Sequence, residues 1–211
     1  PNQGLTITKL KHPSGALWEE VLGIYRETFP AWEREPEDTI AERIVDDFYT
    51  LRVGILQQRV IGFYLLDLNT DPSYAMLCFL AIDPRHRRQV LGGLLCRDAM
   101  TYFNTLGEIP WLLVEAKDRQ AAFYGRAGFF KLSLDYRAPR FDGPGSMPMQ
   151  LMLCRGKGSE AKLSAAEWRP ILHHIFLQGY QLHPEDQRIT DQLARVDNDL
   201  KLIAWLPHEA V

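Results

Sequence analysis

"IDPRHRRQVLGGLLCRDAM", Ile82–Met100, joins a strand-like run to a helix-like one through a cluster of positive charge. An apolar, strand-like run ends at Asp83-Pro84. Arg85, His86, Arg87 and Arg88 follow at once, then Gly92-Gly93 and an amphipathic run. The hydrophobic period changes here, so a strand hands over to a helix through a short basic loop. A helix N-terminus reached in this way is an anion site, because its first N–H groups lack intrahelical partners and the dipole favours negative charge. Glycines let a ligand approach the backbone, and arginines add charge-assisted bonds to phosphate. The pattern fits a phosphorylated cofactor, most naturally a pyrophosphate. The phosphate loop G-x-x-x-x-G-K-[ST] and the dinucleotide fingerprint G-x-G-x-x-G are both absent. On the loop alone, a solvated basic turn with a glycine pair serving helix packing stays open as the alternative.

Nearer the front of the chain, "LTITKL" (5–10) alternates as a strand, and Ser14–Phe29 carries a helical apolar stripe with Ser14 as N-cap. A second helix starts after Pro36 with acidic residues in its first turn. "YTLRVGILQ", "RVIGFYLLDLN" and "YAMLCFLAID" read as three successive strands, turning at Gln58-Arg59 and at Asp71-Pro72-Ser73. The helix after the basic loop closes at Gly107. "IPWLLVEA" is a central strand, "DRQAAFYGRAGF" a helix ending near Gly128, and "FKLSLDYRA" and "MPMQLMLCR" are two final strands. The order predicts an α/β (α+β) fold. Residues 1–155 are expected to form one domain. Residues 156–211 are expected to be a linker, "GKGSE", followed by a helical C-terminal extension. In that extension Ser164 and Glu167 make a capping box, and Ile189, Leu193, Val196, Leu200 and Ile203 form a stripe needing a buried partner surface. A closing strand in "LKLIAWLP" is an alternative.

The 211 residues, 46% hydrophobic and 24% charged, fit an ordinary globular chain. A formal net charge of −3 argues against a surface built to coat nucleic acid or an anionic membrane. The three widely spaced cysteines show no metal or disulfide pattern and read as buried thiols in a reducing compartment. Adjacent His173 and His174 point to different helix faces, so no metal site is expected. No signal-peptide pattern is read and no apolar run has membrane-span length, so a cytoplasmic location is the expectation.

Three stretches, in this order and spacing, give the chain a resemblance to a known family. They are Arg87-Arg88-Gln89-Val90-Leu91-Gly92 after the strand end Ile82-Asp83-Pro84, then Phe123-Tyr124-Gly125-Arg126-Ala127-Gly128-Phe129, with "ETFPAWEREP" near the front. Over roughly residues 5 to 154 the chain resembles the GCN5-related N-acetyltransferase (GNAT) family. Three departures stand out. Val90 replaces the first glycine of the pyrophosphate loop, Lys117 replaces the asparagine that often opens the second motif's helix, and Met76 stands where GCN5-type enzymes carry a basic glutamate.

The resemblance implies a mixed, largely antiparallel twisted sheet flanked by helices, with acyl-CoA in the gap where the fourth and fifth strands splay. It implies pantetheine contacts at Leu80, Ala81 and Ile82. The diphosphate is then expected on Arg87, Arg88, Gln89, Val90, Leu91, Gly92 and Gly93. It also places the Tyr124 hydroxyl near the CoA sulfur, as the acid for the leaving thiolate. Glu115, at the end of the fifth strand, is the candidate base; Glu33, Asp67 and a water chain are alternatives. Phe29, Glu33, Arg34 and Tyr64 are the expected acceptor-binding residues. The implied activity is acetyl transfer from acetyl-CoA to a primary amine of a small molecule by direct attack in a ternary complex. Acetylation of a protein, peptide or aminoacyl-tRNA amine is a second reading, and a non-catalytic CoA-binding or interaction module a third. A homodimer through the C-terminal extension is a further expectation.

Overall fold

The computed structural model describes residues 4–87 and 90–205; Arg88 and Gln89, expected in the pyrophosphate loop, lie outside the described residues. The chain forms two compact units, Pro1–Leu68 with Ala75–Leu106, and Asn69–Tyr74 with Gly107–Val211. The segment from 156 onward belongs to the second unit. No described helix is long and apolar enough to cross a membrane.

The first unit carries β1 (Thr6–Lys9), α1 (Ala16–Thr28), α2 (Glu37–Val45), β2 (Tyr49–Leu56), β3 (Arg59–Thr70), most of β4 (Ser73–Ile82) and α3 (Leu91–Thr105). Its strands lie in the order β1-β2-β3-β4. Side-chain alternation sorts the two faces. Tyr49, Leu51, Val53, Phe63, Leu65, Phe79 and Ala81 pack with Trp18, Val21, Leu22 and Tyr25 of α1 and with Ile40 and Ile44 of α2. The opposite face takes α3. Gly54 and Gly62 sit opposite each other in the β2–β3 register, and Leu95 of α3 fills the space above both. Two local expectations are corrected. The α1 N-cap is Gly15, at φ 84, and not Ser14. The β2–β3 turn residues are Gln57 and Gln58, at φ 50 and 64, while Arg59 already belongs to β3.

The second unit carries β5 (Trp111–Ala116), α4 (Asp118–Ala127), β6 (Phe130–Leu132), β7 (Tyr136–Pro139), β8 (Ser146–Arg155), α5 (Ala165–His174), α6 (Gln187–Ala194) and β9 (Leu202–Ile203). The strand order is β5-β8-β6-β9, with β7 also on β8, and these pairs are antiparallel. The fold class read from the sequence, a mixed and largely antiparallel sheet flanked by helices, holds. The single strand expected over 130–138 is two, because Leu134 N–H turns back to the Leu132 carbonyl and Ser133 N–H bonds to the Lys201 carbonyl.

The last segment is helical only to Ala194, then ends in a strand that pairs with β6. Ser164 caps α5 by accepting from Glu167 N–H, but the Glu167 carboxylate takes the Lys162 N–H, so the capping box is half formed. Trp168 is fully buried beside Trp111, and Ile189, Val196 and Leu200 are buried within the same unit. The apolar stripe of the extension therefore finds much of its partner surface in its own chain.

Candidate active site

In the first unit, β4 runs out at Ile82 and Asp83 turns the chain. The buried Asp83 carboxylate accepts from Arg85 N–H at 3.0 Å and from the Arg85 guanidinium at 3.0 and 2.7 Å. Those hydrogen bonds hold the Asp83 carboxyl below its ordinary range. They also pair the Arg85 guanidinium with a carboxylate of its own loop. Arg87 is exposed, and its guanidinium reaches Thr28 Oγ1 at 3.4 Å, at the end of α1.

Val90 is the N-cap of α3, with φ −70 and no side-chain capping bond, and the first turn of α3 has no acidic residue. The first intrahelical bond runs from Leu94 N–H to the Val90 carbonyl, 3.2 Å, so the amides of Leu91, Gly92 and Gly93 stand ahead of it. A β-carbon on Gly93 would meet nothing within 4 Å. A helix of 15 residues with an uncapped, glycine-opened N-terminus and a nearby arginine fits a diphosphate. Val90 takes an ordinary backbone conformation at this N-terminus. Its φ is negative, so no glycine-only conformation is demanded there, and the residue is 71% exposed. Leu80, Ala81 and Ile82 form the end of β4 that leads into this loop.

In the second unit, Tyr124 is buried on α4 with its ring edge-on to Phe123 and Phe129, at 5.0 and 5.5 Å. Gly128, at φ 109, ends α4, and Phe129 N–H returns to the Tyr124 carbonyl at 3.0 Å. Lys117 fills the N-cap position, and its N–H donates to Gln120 Oε1 at 3.2 Å. Glu115, opposite Leu151, is the half-buried position of the otherwise buried β5. Its Oε2 accepts from both the Tyr136 and the Tyr180 hydroxyls, each at 2.7 Å. Burial, then the Glu115 charge, pushes the Tyr136 phenol well above its ordinary value. It is therefore a neutral donor at any usable pH.

The expected acceptor residues do not gather. Phe29 is buried with Tyr25 and Phe79, ring centroids 5.7 and 5.0 Å away. Tyr64 is buried on the face toward α3, where its hydroxyl donates to Asp98, a carboxylate also held by Arg52 Nε at 2.8 Å. Arg34 Nη1 donates to the Arg26 carbonyl at 3.5 Å, and Glu33 N–H to the Pro30 carbonyl at 3.0 Å. The buried carboxylate of this segment is their neighbour Glu35. It accepts from the Tyr49 hydroxyl at 2.8 Å and lies 3.3 Å from Arg43 Nη1, and Asp67 adds negative potential. Reading the sequence missed Glu35, Tyr136 and Tyr180. Only Tyr136, in a β-rich run beside Glu115's partner strand, left a trace there.

Residues 18–129 match the model of the acetyltransferase (GNAT) family, and the chain belongs to that family. It is thereby an acyl-CoA-dependent N-acyltransferase. Among solved structures it is similar to a GNAT-family protein from Bacteroides thetaiotaomicron, at 19% identity and TM-score 0.66 over 84% of this chain and 99% of that one. It is also similar to the ribosomal-protein-S18-alanine N-acetyltransferase of Escherichia coli, at 22% identity and TM-score 0.55 over 75% of this chain and 98% of that one. A GNAT acetyltransferase from Elizabethkingia anophelis, solved with acetyl-CoA bound, is similar at 14% identity and TM-score 0.52, over 72% of this chain and 99% of that one. At these identities the likeness is one of fold. No curated protein sequence matches the chain.

Proposed function

We propose that the chain acetylates a primary amine of a small molecule by direct attack in a ternary complex, with Tyr124 as acid and Glu115 as base. Acetyl-CoA supplies an acetyl thioester. The amides of Leu91, Gly92 and Gly93 and the Arg87 guanidinium bind its diphosphate, and Leu80, Ala81 and Ile82 offer backbone to the pantetheine arm. Glu115 takes the proton that the amine nitrogen loses as its bond to the carbonyl carbon forms. Tyr124 gives its proton to the sulfur as the carbon–sulfur bond breaks, and both residues are restored through solvent. The thiolate of a thiol with pKa about 8.5 needs only a weak, well-placed acid, which a phenol provides. The observation that carries this reading is the uncapped, glycine-opened N-terminus of α3 beside Arg87, inside a family-matched domain. The net charge of −3 favours a small amine over an aminoacyl-tRNA.

The test is calorimetric titration of acetyl-CoA, then release of CoA thiol with spermidine, tryptamine, glycinamide and a peptide with N-terminal alanine. Binding in the micromolar range, about −8 kcal/mol, is expected, weakened about tenfold in Arg87→Ala. Tyr124→Phe keeps that affinity and loses roughly a hundredfold in turnover. Absence of acetyl-CoA binding overturns the reading; turnover of the peptide alone moves the acceptor class to protein N-termini.

A further inference from the structure

Tyr180 lies well outside the family-matched residues 18–129, in the segment after α5. Its hydroxyl nevertheless meets Glu115 Oε2 at 2.7 Å, 65 positions away in sequence. Two features put it there. First, α5 does not end as a regular helix: Ile175–Gly179 is a π turn, closed by Tyr180 N–H donating to the Ile175 carbonyl at 3.0 Å. A π turn inserts an extra residue into the helical repeat and so rotates the chain beyond it, and such turns concentrate at functional sites. Second, the Tyr180 ring is held between Phe141, centroids 4.8 Å apart, and Phe176, 6.0 Å apart. The second phenol on Glu115, Tyr136, is also packed on Phe176, at 6.0 Å. One aromatic cluster thus fixes both donors to a single carboxylate oxygen.

We infer that Tyr180 is a positioning residue, by which the chain beyond the family domain fixes the orientation of the Glu115 carboxylate for proton removal from the acceptor amine. The inference rests on the proposed role of Glu115. A carboxylate on a strand has two free side-chain torsions before its terminal one, and a base must meet its proton within hydrogen-bond reach. Two phenols converging on Oε2 remove that freedom, and small errors of placement cost large factors in rate. Loss of one phenol is therefore expected to act on turnover and not on the affinity for acetyl-CoA.

The experiment compares wild type, Tyr180→Phe, Glu115→Gln and the double variant, using the best acceptor of the four-amine panel. Tyr180→Phe is expected to lower kcat about tenfold or more with little change in KM, in acetyl-CoA affinity by calorimetry or in Tm. Glu115→Gln loses more, and the double variant is no slower than Glu115→Gln alone, because Tyr180 acts only through Glu115. Equal kcat for wild type and Tyr180→Phe overturns the inference and leaves the proposed function standing. So do losses that multiply in the double variant, which place Tyr180 outside the action of Glu115. Full activity in Glu115→Gln overturns the role of Glu115 and the inference with it. A wild-type protein that binds acetyl-CoA but acetylates none of the four amines overturns the proposed small-amine transfer and this inference together.

Discussion

Trp205 occupies the space that a β-carbon on Gly125 would need: its Cδ2 would stand 2.8 Å from that atom, inside contact distance. The Arg126 guanidinium lies 5.7 Å from the same ring. Within a helix, Gly→Ala ordinarily stabilises by about 1 kcal/mol. Here Gly125→Ala is expected to do the reverse, lowering Tm by roughly 3–6 °C and shifting tryptophan emission to the red as the indole is displaced. A raised Tm would show that Trp205 yields its place at no cost.

Glu35 sets a pH dependence of stability. Burial pushes its carboxyl from an ordinary 4.5 up to about 7, against the pull of Arg43 and the Tyr49 hydrogen bond. Between those values the folded chain holds a proton that the unfolded chain has lost, so stability falls as pH rises. The loss over the interval is at most about 3 kcal/mol. Urea midpoints at pH 5.0, 6.0 and 7.0 should descend, and Glu35→Gln should flatten the slope. Asp83, Asp142 and Asp186, held low by Arg85, Arg140 and Arg188, act below pH of about 4 and leave this window alone. A midpoint that climbs from pH 5 to 7 would mean that Glu35 is ionised against Arg43 in the folded state.

Gly62 lets α3 lie close to β3. A β-carbon there would stand 2.8 Å from both the Ala81 carbonyl oxygen and Leu95 Cδ1, and 2.7 Å from Ile82 Cδ1. The carbonyl belongs to the neighbouring strand and cannot swing aside. Gly62→Ala is expected to destabilise by roughly 1–3 kcal/mol, read as a lower Tm. Because α3 and Ile82 flank the loop proposed to bind the diphosphate, it should also weaken acetyl-CoA binding beyond what Gly93→Ala does at its open position.

Val90 tests the loop's departure from the family pattern. With φ −70 and an exposed side chain, it should tolerate Val90→Gly with an acetyl-CoA Kd altered less than about threefold. Tenfold tightening in calorimetry would show that the isopropyl group crowds the diphosphate.

The passage from β4 to α3 was legible because the hydrophobic period changes within a few residues and glycines punctuate the helices. Gly107 and Gly128, the predicted terminators, both take positive φ, at 81 and 109. What escaped depends on partners far along the chain. The run 130–138 is uniformly strand-like, and only its bonds to Lys201 and its turn at Leu134 divide it. Glu35 stands in an acidic, surface-like segment, and nothing local announces Tyr49 and Arg43 around it. Tyr180 comes after a glycine at a helix end, where an exposed turn is the default, and its partner Glu115 lies in another element. Ser14 offered a familiar capping residue, but the backbone turned one residue later, at a glycine free to adopt φ 84.

The pairing of β9 on β6 decides which backbone groups stand at that end of the sheet. Without Leu202 and Ile203, the outer side of β6 would present unsatisfied backbone groups, a template on which another chain could add a strand. β9 occupies that template and offers in its place an edge only two residues long. A two-residue strand near the end of the described residues thus covers an edge on which another strand could otherwise add.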